Sequence, residues 1–296
     1  MKVVVIGLGV MGQHHARVFH ELDVLYGVYD IDSTKVKNYA TRYNVEPYYT
    51  LESLLVDKSF NAVSIAAPTP LHVELATKSL DSGLHVFLEK PLADSLEASS
   101  KILDAVQRNQ KVFCVGYIER FNPAILALSE LVDNNFFGEI TSINVKRVGG
   151  IPRSANNIIL DLMTHDINIL LSLLKKTPTA IYKQMLTHNG IVDSAQILLD
   201  FGTTSATCEA NWISPVKIRR IEITGINGYA IVDLINQSVT TIQKDYEVTK
   251  RYPGEPLKKE LQAFIDAVDQ GTGKIISYED ALKTLDVTLQ AIKIGG

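Results

Sequence analysis

The first dozen residues constrain this chain more than any other stretch. Val3-Val4-Val5-Ile6 is an apolar run of the kind that forms a strand buried on both faces of a parallel sheet, and Gly7-x-Gly9-x-x-Gly12 follows it directly. In that spacing Gly7 permits a tight turn, Gly9 lets backbone approach a pyrophosphate, and Gly12 lets the next helix pack closely on the strand. The unpaired N–H groups at the helix start favour a diphosphate. Gly7, Gly9, Val10, Met11 and Gly12 are therefore candidate cofactor contacts.

A second strand, about residues 24 to 29, ends in Asp30, 18 positions after Gly12 and near the spacing of an acid that binds adenosine ribose hydroxyls. A carboxylate there repels a 2′-phosphate and favours NAD. Lys35 and Lys37 lie close enough in sequence to leave NADP open.

At 296 residues, with 46% hydrophobic and 21% charged residues, the chain has the composition of a folded protein of about two domains. Its net charge of −4 and the lack of a long Lys/Arg block argue against a nucleic-acid partner and point to a small molecule. Two cysteines, Cys114 and Cys208, sit in apolar strand-like runs with no C-x-x-C neighbour; neither a disulfide framework nor a metal site is expected, and a cytoplasmic location is. No apolar run reaches the length of a membrane helix, and no membrane association is expected.

Through residue 119 strands and helices alternate, which implies right-handed crossovers and an α/β Rossmann domain with a parallel sheet. From residue 120 to 296 the pattern changes to an α+β domain with a largely antiparallel sheet, for substrate binding and oligomerisation. A strongly apolar helix is expected near 159 to 174, and closing helices near 256 to 270 and 278 to 292. Sheet faces left uncovered by helices point to a homodimer or homotetramer.

Three places carry candidate chemistry. Ala67-Pro68-Thr69-Pro70-Leu71-His72 follows a strand end, where open α/β sheets bind ligands, making Thr69 and His72 cofactor-contact candidates. The next strand delivers Glu89-Lys90-Pro91 to the same edge, where the Lys90 ammonium can hydrogen-bond a substrate hydroxyl beside the nicotinamide. In the second domain Asp161 and His165 stand four residues apart on the apolar helix, so that a carboxylate can orient an imidazole and His165 can accept a hydroxyl proton as hydride leaves.

Together, Gly7-x-Gly9-x-x-Gly12, Glu89-Lys90-Pro91, Asp161-x-x-x-His165-Asp166 and Glu255-Pro256-Leu257-x-x-Glu260 resemble the Gfo/Idh/MocA oxidoreductases over essentially the whole chain. The resemblance implies that Lys90, Asp161 and His165 line the substrate hydroxyls and that Glu89 approaches the nicotinamide ribose. A narrower likeness, in residues 116–123, 147–153 and 211–219, is to the microbial UDP-N-acetylglucosamine 3-dehydrogenases of that family. It implies NAD-dependent oxidation of a sugar C3 hydroxyl, with a free aldose or an inositol as the alternative substrate class. Arg147, Arg153, Lys217 and Arg219 are the candidate cations for a sugar-nucleotide diphosphate, since guanidinium groups match phosphate oxygens. A non-catalytic dinucleotide-binding regulator is the competing class, because a nucleotide fold alone does not imply turnover. A methyltransferase, which can share the glycine-rich first turn, is a more distant one.

Overall fold

A computed structural model describes residues 1–150, 157–188 and 191–294. The chain divides into two compact units, Met1–Tyr117 with Leu257–Leu282, and Ile118–Pro256 with Lys283–Gly296.

The first unit runs β1 (Val3–Ile6), α1 (Val10–Glu21), β2 (Leu25–Tyr29), α2 (Ser33–Tyr43), β3 (Glu46–Tyr48), α3 (Leu51–Val56), β4 (Ala62–Ile65), α4 (His72–Asp81), β5 (His85–Glu89), α5 (Leu96–Asn109) and β6 (Phe113–Gly116). The six strands are parallel, in the order β3-β2-β1-β4-β5-β6. All four residues of β1, β4 and β6 are buried, as strands covered on both faces require. Helix starts are set by side-chain caps: Asp32 accepts from the Thr34 and Lys35 amides, and Ser95 from Ala98. The strand order reverses between β1 and β4, which opens a crevice at the carboxyl ends of the strands. β3 escapes the sequence reading because it is a three-residue strand at the sheet edge with Pro47 at its centre.

The second unit contains α6 (Pro123–Asp133), β7 (Ile140–Val148), a π turn over Ile159–Met163, α7 (Thr164–Leu174), β8 (Ala180–His188), β9 (Ile191–Asp200), β10 (Ser205–Asn211), β11 (Ile218–Gly225), β12 (Tyr229–Asp233), β13 (Ser238–Gln243) and β14 (Tyr246–Arg251). Its eight strands form one sheet, β14-β13-β12-β11-β7-β10-β9-β8, antiparallel except where β10 runs parallel to β7. Ile167, Leu170 and Leu173 of α7 share a core with Ile143, Val145, Cys208, Ile221 and Ile223 of the sheet. The single helix expected over 159 to 174 opens instead as the π turn, with α7 starting at Thr164. β14 is exposed at every residue, so no alternation of apolar and polar positions marks it in the sequence.

Two helices close the chain, α8 (Pro256–Gln270) and α9 (Tyr278–Lys293). Leu257–Leu282 returns to the first unit, which corrects the expectation of a contiguous domain over 120 to 296. The reason is local packing. Phe264 of α8 meets Phe87 edge-on at 5.8 Å, the Ile276 carbonyl accepts from the Val115 amide at 3.0 Å, and Tyr278 packs on Phe113. These contacts set α8 and the start of α9 against β5 and β6.

Candidate active site

At the carboxyl edge of the parallel sheet, two glycines of the turn are required by the protein itself. Gly7 adopts φ +89°, and a side chain on it would lie 2.9 Å from the Ala66 carbonyl; one on Gly12 would lie 1.8 Å from the Gly7 oxygen. Gly9 differs, because nothing stands within 4 Å of where its side chain would be. Its open face suits a ligand that must approach backbone closely. α1 has neither a side-chain cap nor an acid in its first turn, so the amides of Val10, Met11 and Gly12 have no anionic side chain competing for them.

Asp30 is bound to the same turn. Its Oδ2 accepts from the Leu8 amide at 2.6 Å and its Oδ1 from Asp32 at 2.9 Å, leaving further lone pairs on a half-buried carboxylate. Val10, Ile31 and Leu71, which follow the carboxyl ends of β1, β2 and β4, are 73%, 90% and 40% exposed. Such side chains suit the flat faces of a nucleotide base. Ile31 and Leu71 escaped the sequence reading, although an isoleucine directly after a strand-end acid is a usable signal. The donors, the acid and the apolar flank together fit a dinucleotide.

One strand further along, Glu89 turns inward. It is 7% exposed, its Oε1 lies 3.0 Å from His15 Nε2, and its Oε2 accepts from the Lys90 amide at 3.2 Å. Each oxygen of its carboxylate thus has one internal partner. Lys90 itself is half-buried at the strand end. The expected role of His72 is corrected. The ring is fully buried, with Nδ1 2.7 Å from the Pro91 carbonyl and Nε2 2.9 Å from that of Ala67; the neutral ring donates to one of the two, sits between the strand-end loops and presents no surface to a cofactor. Burial holds its pKa below the ordinary imidazole value, against the opposing pull of those carbonyls. Thr69 opens a single 3-10 turn on the β4 loop and stays half-buried. Behind Glu89, the Glu260 carboxyl of α8 is 1% exposed; burial, reinforced by the Glu89 charge and opposed by the Tyr117 backbone, pushes its pKa well above the carboxylate range.

In the second unit, Asp161 lies on the π turn, buried, with its amide donating to the Asn157 carbonyl at 2.9 Å. His165 is half-buried in the first turn of α7. Four residues fall just short of one full turn in the wider coil and just beyond one in an α-helix, so the pair keeps to one side of the chain. Insertions of this kind recur at functional sites.

Beneath them Asp166 is fully buried, and Arg147 Nε donates to its Oδ1 at 2.8 Å while Nη1 donates to Glu119 at 2.8 Å. Arg147 is 4% exposed and committed to these acids, which corrects its expected role on a diphosphate. Although burial opposes its charge, the two acids hold its pKa above the ordinary guanidinium value. Burial raises the Asp166 carboxyl, and Arg147 opposes that rise. Arg219 is corrected likewise: Nη1 donates to the Val148 and Ile218 carbonyls at 2.6 and 2.8 Å, and Nη2 to Gly149 at 3.1 Å. Lys217 is exposed and, with Arg219, Glu119 and Asn122, lines a pocket of about 330 Å³. Arg153 lies outside the described residues. The β7–β11 pairing explains the commitment of both arginines, since Arg147 and Arg219 are directly opposite on one sheet face.

The model of the Gfo/Idh/MocA oxidoreductase family, NAD-binding Rossmann fold, matches residues 1–117, and that of the Gfo/Idh/MocA C-terminal domain matches residues 125–231. The chain is 26% identical over 284 residues to UDP-N-acetylglucosamine 3-dehydrogenase of Acidithiobacillus ferrooxidans, covering 90% of this chain and 88% of that one. It is also 26% identical over 321 residues to scyllo-inositol 2-dehydrogenase (NAD(+)) of Bacillus subtilis, covering 98% and 93%. A solved structure of the A. ferrooxidans enzyme superposes with a TM-score of 0.92 at 24% identity, covering 99% of this chain and 96% of that one.

Proposed function

Since the chain belongs to the Gfo/Idh/MocA family of NAD-binding oxidoreductases, we propose that it oxidises the C3 hydroxyl of UDP-N-acetylglucosamine, or of a close UDP-sugar, to a 3-keto sugar. Bound NAD supplies the hydride acceptor. The residues supply the rest. The N–H groups of Val10, Met11 and Gly12 take the diphosphate, and Asp30 takes the adenosine ribose hydroxyls and selects NAD over NADP. Lys90 donates a hydrogen bond to the reacting oxygen and stabilises the charge that develops there. His165, oriented by Asp161, accepts the hydroxyl proton while the carbon-bound hydrogen departs with its electron pair. The observation that supports this reading is the carboxyl edge of the parallel sheet, where an open Gly9, Asp30 and Lys90 follow the ends of β1, β2 and β5.

The sugar-nucleotide assignment draws its support from the likeness over 90% of the chain to the A. ferrooxidans enzyme. One observation favours a second reading, an inositol or free aldose substrate: Arg147 and Arg219 are committed to internal partners, which leaves Lys217 as the exposed cation among the described candidates. Purified protein supplied with NAD is expected to reduce it with UDP-N-acetylglucosamine and to release a product two mass units lighter. Turnover confined to inositols or free aldoses would replace the first reading with the second. Dinucleotide binding without turnover of any polyol would leave a regulator.

We also propose a cytoplasmic homodimer or homotetramer. No described helix is long and apolar enough to cross a membrane. On the outer sheet face, Tyr182, Leu186 and Leu198 are 60%, 51% and 36% exposed along β8 and β9, beside Lys146, Glu209, Arg220 and Glu222. Apolar side chains among both signs of charge suit a self-complementary interface. Light scattering is expected to give twice or four times the chain mass; a monomer at micromolar concentration would contradict the proposal.

A further inference from the structure

Between the cofactor turn and Lys90 lies a polar chain that the proposed chemistry does not use. Ser64, at the third residue of β4, is fully buried, with its Oγ 2.8 Å from His15 Nδ1. His15 is fully buried on α1, three residues beyond Gly12, and its Nε2 lies 3.0 Å from Glu89 Oε1. The other oxygen of Glu89 accepts from the Lys90 amide. An ionised carboxylate accepts only, which puts the ring hydrogen on Nε2 and leaves Nδ1 to accept from the Ser64 hydroxyl. With a neutral ring the links run in one direction, from Ser64 through His15 to Glu89.

The surroundings fix the chain in place. Phe19 and Phe87 meet the His15 ring edge-on at 6.4 and 5.3 Å, and a side chain on Gly116 would come within 3.2 Å of Glu89 Oε1. Glu89 therefore has little room for another rotamer. On the far side of Lys90, His72 holds the Pro91 carbonyl. The lysine is thus flanked by two buried imidazoles, His15 of α1 on the Glu89 carboxylate and His72 of α4 at the Pro91 carbonyl.

We propose that His15 is a positioning residue for Lys90, acting through Glu89 with Ser64 fixing the tautomer of its ring, so that the helix receiving the dinucleotide diphosphate also sets the lysine. This rests on the reading that Lys90 acts on the substrate hydroxyl. A buried imidazole serving only to fill space would be replaceable by an aromatic ring of similar size. One that orients Glu89 would not, because the substitution leaves two buried polar groups without their partner.

The test compares His15→Phe, which keeps the ring packing, with His15→Gln, which restores a donor and an acceptor on one side chain. His15→Phe is expected to lower kcat about tenfold, with the KM for substrate and the NAD affinity within about threefold of the wild type, and His15→Gln to recover most of the loss. A kcat within twofold in a folded His15→Phe protein, or a loss of kcat and NAD affinity together without recovery in His15→Gln, would overturn the proposal. A second readout does not need turnover: labelling of Lys90 by pyridoxal phosphate and borohydride, followed by peptide mass spectrometry. Its rate is expected to change at least threefold in His15→Phe and return in His15→Gln. An unchanged rate overturns the positioning role even if no substrate is turned over, whereas absent turnover with a changed rate removes only the dehydrogenase reading. If His15→Phe does not fold, Ser64→Ala replaces it in both measurements. A change of about twofold to threefold is expected there, and none would overturn the proposal.

Discussion

The carboxyl edge of the parallel sheet and the start of α7 hold their polar side chains by different means. At the sheet edge hydrogen bonds to backbone and imidazole dominate: Asp30 on the Leu8 amide, Glu89 between His15 and the Lys90 amide, His72 between two carbonyls. Below α7 the work is ionic, with Arg147 between Asp166 and Glu119 in a buried position. Hydrogen bonds of the first kind hold geometry at modest individual cost when one is lost. A buried ion pair contributes little net stability, yet leaves an uncompensated charge when one partner is removed. The two regions should therefore fail differently under substitution, the first in activity and the second in folding.

The largest separation is expected in turnover. Lys90→Met and His165→Asn should each lower kcat by about 10²- to 10⁴-fold, the range for loss of a group that handles a proton or a developing charge. NAD affinity, measured by isothermal titration calorimetry, should stay within about threefold. Equal losses in both quantities would assign these residues to the fold.

Arg147→Met should show the opposite pattern, lowering stability by about 3–5 kcal/mol in urea denaturation because Asp166 and Glu119 lose their shared cation. Adding Asp166→Leu to it should recover part of that loss. A cost below about 1 kcal/mol for Arg147→Met would show that the cluster is not held as an ionic unit.

A smaller contrast lies within the glycine turn. Gly12→Ala must displace the Gly7 carbonyl, so both melting temperature and NAD affinity should fall. Gly9→Ala meets no protein atom and should leave the melting temperature within about 2 °C, equivalent to about 1 kcal/mol, while NAD binding weakens about tenfold. Equal NAD affinity in Gly9→Ala and wild type would remove the pyrophosphate from that face.

The smallest effect is a pH slope. Glu260 has its folded pKa raised by burial from a reference of 4.5, so the folded chain keeps a proton that the unfolded chain has released. The unfolded state then binds fewer protons, and stability must fall as pH rises above 4.5, by up to about 1.4 kcal/mol per pH unit until the folded group titrates. Glu260→Gln removes the titration and should stabilise the protein more at pH 8 than at pH 5. A gain independent of pH would show that Glu260 is ionised in the fold.

These contrasts also mark what could be read from the sequence. The position of the glycine turn, Asp30 and Lys90 at strand ends is legible because short-range geometry fixes it: a strand end and its following turn are encoded within a few residues. His72, Arg147 and Arg219 were misjudged for a shared reason. Loop histidines and strand arginines are ordinarily exposed, and only strand pairing reveals that Arg147 faces Asp166 and that Arg219 meets the carbonyls at the end of β7. In the sequence His15 is only the second of two adjacent histidines, with no partner nearby to mark it. Its role depends on Ser64 and Glu89, which lie 49 and 74 positions away. The return of Leu257–Leu282 to the first unit was hidden likewise, since amphipathic helices do not encode which sheet they cover.

The most direct measurement follows the hydrogen itself. UDP-N-acetylglucosamine carrying deuterium at C3 should be incubated with the purified protein and NAD, and the nicotinamide examined by mass spectrometry. The expected result is reduced nicotinamide bearing the deuterium, together with a 3-keto product that has lost it. Reduced nicotinamide without the label, or none from this sugar in a preparation that reduces NAD with an inositol, would contradict oxidation at the sugar C3 carbon.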